Sequence, residues 1–125
     1  MDQDQNQLYS TDSYDRAGAD RLLGLLSTGA VLMQGPVGTM LASELGAQDV
    51  PAAYWNVAEP QEVTRIHQQY ADAGAQILLT NTFQATAPAL KRDHIESSVD
   101  LVCAEAVAAA HAAGGQNLVG SIGPC

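Results

Sequence analysis

The chain has 125 residues, 46% of them hydrophobic, and a mass of 13.1 kDa, enough for one modest core. Fourteen acidic residues against five basic ones give a net charge of -9, which excludes the clustered Lys and Arg that nucleic-acid phosphates or anionic membranes require. No apolar run approaches the ~20 residues of a membrane span, and the acidic, polar N-terminus lacks the basic and then apolar order of a signal peptide, so a soluble cytoplasmic protein is expected.

Residues 1–17 are rich in Asp, Gln, Asn, Ser and Tyr without periodicity and read as a flexible acidic leader. Residues 18–125 form the expected domain. Leu22, Leu23, Leu25 and Leu26 predict a short helix over 19–26, closed near Gly29. The apolar run 30–33 reads as a strand entering the glycine-rich stretch Gln34-Gly35-Pro36-Val37-Gly38-Thr39. That stretch lacks the Lys of a P-loop and the spacing of a dinucleotide fingerprint; its glycines fit a tight turn or a close approach to a small ligand. A helix over 40–45 closes at Gly46, and 49–59 is irregular by pattern.

Pro60 stands at the first position of a helix whose apolar residues Val63, Ile66, Tyr70 and Ala73 recur at spacings of three and four. Ile77-Leu78-Leu79 then reads as a strand buried on both faces, the kind that belongs to parallel sheets. The polar cluster Thr80-Asn81-Thr82 ends it. In parallel α/β folds, ligands bind at the carboxyl ends of strands, so this cluster either lines a site or simply caps the strand. Within 84–92, Pro88 limits the next helix to a short one beginning near that proline. A longer one over 95–113 carries the stripe Ile95, Val99, Val102, Cys103, Ala106, Val107 and Ala110, and Leu118-Val119 leads as a third strand into Gly120-Ser121-Ile122-Gly123.

Strand and helix alternate, which is the pattern of parallel α/β architecture. Three strands with no helix after the third are an unfinished sheet. Cys103 reads as a small buried hydrophobe, and Cys103 and Cys125 form no metal motif.

The string LMQGPVGTML, then Trp55, then PQEVTRIHQQYADAGAQILLTNTF and finally GSIGP resemble the homocysteine S-methyltransferase family from about Gly29 to Pro124. The resemblance implies a (β/α)8 TIM barrel of typically ~250 residues, of which this chain would be the N-terminal part, about three βα units. The implied reaction transfers a methyl group to the thiol of homocysteine, giving methionine. In the family a zinc ion held by cysteines on later strands binds and deprotonates that thiol. Those cysteine motifs lie beyond residue 125, so no zinc ligand and no catalytic residue is expected in this chain.

The resemblance places Gln34 and Gly35 at the end of the first strand, where an acidic residue usually contacts the substrate amino group. A neutral amide there accepts from an ammonium without the charge-assisted part of the interaction. It places Thr80, Asn81, Thr82 and Phe83 in the substrate pocket at the second strand end, and Ser121 at the third. His67 falls on the helix outside the barrel, away from the strand ends, in a packing or hydrogen-bonding role; Trp55 and Tyr70 read as packing residues. The implied partners are a small-molecule thiol and either a chain supplying the rest of the barrel or a corrinoid protein. The methyl donor stays open among methylcorrinoid, betaine and S-methylmethionine. A complementing or non-catalytic subunit, or a truncated inactive domain, fits the same motifs.

Overall fold

The computed structural model describes residues 16–124, which fall into two units, one within 1–30 and one within 31–125. Most of the leader, through residue 15, lies outside the described residues, as does Cys125. The first unit contributes helix α1, Arg16–Leu26, three residues longer at its start than the leucine pattern predicts. Its end is tied off locally: the Ser27 hydroxyl donates to the Gly24 carbonyl and the Thr28 hydroxyl to that of Leu25.

In the second unit the apolar run expected as the central strand is one. Strand β1, Leu78–Leu79, pairs in parallel with β2, Leu118–Val119, in the register Leu78 to Leu118 and Leu79 to Val119. The first expected strand is reduced to a parallel bridge between Met33 and Ile77, flanked by the bonds Gln76 N–H to Leu32 O at 2.7 Å and Gln34 N–H to Ile77 O at 2.9 Å. Three parallel segments therefore stand side by side in chain order. Ile77 and Leu78 are buried, whereas Leu32 and Met33 stay exposed.

Helices make the connections. Helix α2, Val37–Leu45, starts three residues earlier than expected, so the glycine-rich turn is confined to Gly35-Pro36. Gly46 ends α2 in the left-handed region at φ 64°, a conformation that only glycine adopts without penalty. The stretch 49–59 is not irregular: a 3-10 turn, Ala52–Tyr54, runs into helix α3, Trp55–Ala58. Helix α4, Pro60–Asp72, has its proline in the first turn and buries Val63, Ile66 and His67. Helix α5, Ala87–Arg92, is capped by Thr86, whose hydroxyl accepts the Ala89 N–H. Helix α6, Val99–Ala112, begins later than the expected residue 95 because Ser98, in extended conformation, caps it by accepting the Leu101 N–H, a common helix start. Ile95 is nevertheless buried, in the turn before α6, while Val107 of the predicted stripe is exposed.

Two apolar clusters hold these pieces together. Val37 and Leu41 of α2, Val63 and Ile66 of α4 and Ala109 of α6 form the first, with Trp55 and Tyr70 against it. Ala53, Ala85, Leu90, Ile95 and Val102 form the second, with Cys103 at its margin. The Thr64 hydroxyl donates to the Ala109 carbonyl at 3.0 Å, binding α4 to α6 where small alanines let the helices approach closely.

Ile66 is fully buried and Leu101 is 47% exposed. Ile66→Ala is expected to cost about 2–5 kcal/mol of stability and Leu101→Ala less than about 0.5 kcal/mol, compared by urea unfolding. Equal midpoints for the two variants would show that the α4–α6 packing is not the core.

Candidate functional site

The carboxyl ends of the three parallel segments meet at one cleft of about 490 Å³. Gln34 and Gly35 from the first end, Thr80, Asn81 and Phe83 from the second and Ser121 from the third all line it. Thr82, singled out with them, does not; it lines the adjoining hollow with Ser121 and Gly123. Six of the seven residues expected at the site are thus brought to one cavity.

Thr82 instead ties two segment ends together. Its hydroxyl donates to the Ser121 carbonyl at 2.8 Å and accepts the Ser121 N–H at 3.2 Å. With that proton committed, the Thr80 hydroxyl, 2.8 Å away, donates to Thr82. Gly123 lies against the same turn, where an added Cβ would collide with the Phe83 carbonyl. A side chain there would displace the backbone that carries Phe83 into the cleft.

Gly35 has a comparable role at the first end. A Cβ on it would sit 2.8 Å from the Tyr70 hydroxyl, and that hydroxyl donates to the Pro36 carbonyl at 3.0 Å. Tyr70 therefore packs, as expected, and also fixes the turn by a hydrogen bond that requires glycine beneath it.

His67 differs from its expected placement. It is fully buried and its Nδ1 lies 2.8 Å from Oε1 of Gln34, so the helix bearing it reaches the strand end directly. Gln34 Nε2 donates to the Gly35 carbonyl at 3.0 Å, which fixes which end of the amide faces the imidazole. Nδ1 must then carry the proton that His67 donates. Nε2 is left with a lone pair and has no hydrogen-bond partner among the described residues. Burial holds the imidazole pKa down at about 4, so His67 is neutral at pH 7 and serves Gln34 as a donor, not as a base.

Asn81 and Asn56 form a second buried pair, this one of two amides. Asn81 Nδ2 donates to Asn56 Oδ1 and to the Ala52 carbonyl, both at 2.8 Å. Asn56 Nδ2 donates to the Asn81 and Val102 carbonyls. Sequence reasoning overlooked Asn56 and Ala52, since a lone Asn in a four-residue helix carries no pattern that marks it.

Every side chain lining the cleft is uncharged: the polar ones are Gln34, Thr39, Thr80, Asn81, Gln84 and Ser121. The first turn of α2 also borders it through Val37, Gly38 and Thr39, and no side chain among the described residues caps that helix. Among the described residues no three His, Cys, Asp or Glu side chains come together. Cys103 is half-buried, and burial, with Asp100 nearby, pushes its thiol pKa up, away from the thiolate a metal prefers. The described residues therefore do not fit a zinc ion.

A base whose pKa is lowered in the fold binds fewer protons folded than unfolded below its ordinary value of 6.5. Stability linked to His67 is thus complete above pH 6.5 and is lost as the pH falls from 6.5 toward 4. An NMR titration is expected to place the His67 midpoint near 4, and His67→Asn to flatten the pH dependence of stability across that window. A midpoint near 6.5 would show the imidazole to be solvated.

A family model described as homocysteine S-methyltransferase matches residues 31–125, and no curated protein matches the chain. The matched stretch is the whole second unit, with all three segment ends and both the Gln34–His67 and Asn81–Asn56 pairs. This chain belongs to the homocysteine S-methyltransferase family.

Proposed function

We propose that this chain forms the N-terminal part of a (β/α)8 barrel that transfers a methyl group to the thiol of a small amino acid, homocysteine, giving methionine. The observation that carries this reading is the convergence of three parallel segment ends on one uncharged cleft, within a stretch matched by the family. Strand ends of this kind are where barrel enzymes place their substrates.

The cleft suits one end of a zwitterionic thiol. Uncapped N–H groups in the first turn of a helix favour a carboxylate, and side-chain oxygens at the segment ends accept from an ammonium. An uncharged wall does not compete with the opposite charges within the substrate. The apolar share of the lining, from Pro36, Val37, Ala52, Leu79 and Phe83, suits the methylene chain between the charged end and the sulfur. Activation of that sulfur belongs to groups outside the described residues, because these do not fit a metal ion.

The exposed apolar residues Leu32, Met33 and Ile122 lie along the outer segments, where further strands of a closed barrel would cover them. Such a barrel removes the open sheet edges that otherwise favour association. The protein is proposed to work in the cytoplasm, alone or with a chain or a corrinoid protein that completes the reaction.

Methyl transfer by the complete protein is measured with labelled methylcobalamin, betaine or S-methylmethionine as donor and L-homocysteine as acceptor. Labelled methionine is expected from one of the three donors. Label passing to an amine or hydroxyl acceptor, and to no thiol, would sink the proposal.

A further inference from the structure

The partners of Asn81 account for both of its side-chain donors and leave its side-chain oxygen open. An amide nitrogen has two hydrogens, and both go to fixed acceptors, the Ala52 carbonyl and Asn56 Oδ1. Main-chain carbonyls only accept, so the bond to Ala52 determines which end of the Asn81 amide is nitrogen. Asn56 is determined in the same way by its bonds to the Asn81 and Val102 carbonyls, and it is fully buried. Asn81 Oδ1 accepts no hydrogen bond from any described side chain or N–H, although Asn81 is only 7% exposed and lines the cleft. Gln34 differs, because its Oε1 already receives the His67 Nδ1–H.

We infer that Asn56 is a positioning residue that turns Asn81 so that Oδ1 is the fixed acceptor of the cleft, and that the ligand brings a hydrogen-bond donor to it. In an amino thiol that donor is the ammonium group. The inference rests on the methyl-acceptor reading above and adds to it the group that is recognised and the residues that recognise it. An ammonium at Oδ1 gains a charge-assisted bond, and no carboxylate has to be desolvated beside the developing thiolate. A ligand lacking the amine covers Oδ1 without supplying a donor, which is how a polar site discriminates against an analogue that has lost a donor. Asn56 acts only through Asn81, since its own amide is spent on Asn81 and Val102.

The test compares L-homocysteine with 4-mercaptobutanoate, which keeps the thiol and carboxylate and lacks the amine, by calorimetric binding to the complete protein and to N56A. The wild type is expected to prefer homocysteine by about tenfold or more. N56A is expected to lose most of that preference while binding 4-mercaptobutanoate within about twofold of wild type. A pair that only holds the fold together would weaken both probes equally and leave the preference unchanged, which overturns the inference. Should N56A fail to fold, the wild-type Asn81 side-chain amide resonance decides: it is expected to shift with homocysteine and not with 4-mercaptobutanoate. Binding of both thiols with a silent Asn81 amide overturns the inference and leaves the methyl-acceptor reading standing. Binding of neither thiol overturns that reading, and the inference with it.

Discussion

The second parallel segment is hydrogen-bonded along both of its edges, and the rest of the second unit is arranged to permit this. Gln76 N–H reaches the Leu32 carbonyl and Gln34 N–H reaches that of Ile77 on one side; Leu78 and Thr80 donate to Asn117 and Val119 on the other. Ile77 and Leu78 are buried, where an unpaired peptide group costs as much as a lost hydrogen bond. The neighbours must therefore run alongside, and parallel neighbours require crossover connections, which the helices supply. Once the three segments share a direction, their carboxyl ends share a side. Gln34, Thr80, Asn81 and Ser121 are neighbours for that reason alone.

What happens at those ends is decided by amide chemistry more than by charge. Although the net charge is -9, no charged side chain lines the cleft. Its polar groups are held by buried neutral partners, Gln34 by His67 and Asn81 by Asn56. A neutral His is the cheaper partner in such a place: a charged one would face a desolvation penalty that no acidic neighbour offsets, which is why burial drives its pKa down to about 4. Groups fixed in this way need little reorganisation when a ligand arrives, and that is the advantage of a preorganised site.

Much of this arrangement was legible in the sequence, and the parts that were not have identifiable causes. The apolar run 77–79 and Pro60 fix a strand and a helix start by patterns spanning several residues. Ser98 also carries a recognisable capping signal, but the apolar stripe reaches back to Ile95, and burial of Ile95 in a turn mimics one more helical position. The first strand is reduced to a bridge, and Leu32 and Met33, though apolar, are exposed; composition favours a strand there but does not say what covers it. Helix α3 is four residues long, barely one turn, so no periodicity could reveal it, and Asn56 within it is marked only by its contacts. The helix that carries His67 is legible from its apolar spacing, but the reach of His67 to Gln34 depends on how closely α4 packs against the first segment.

The cluster Thr80-Asn81-Thr82 shows how local geometry divides roles that a motif presents as one. The chain turns tightly at Asn81, where the Thr82 N–H donates to the Thr80 carbonyl at 2.9 Å, so the Thr80 and Thr82 hydroxyls meet at 2.8 Å while Asn81 turns toward Asn56 and Ala52. Thr82 spends its hydroxyl on Ser121 and so sets the spacing between the second and third segment ends. Asn81 spends its nitrogen on the helical side and keeps its oxygen. The two readings open at the sequence level, strand cap and site lining, are therefore not rivals. Thr82 ties the second segment end to Ser121, which lines the cleft, and the asparagine between the threonines can face a ligand because its neighbours carry the structural bonds.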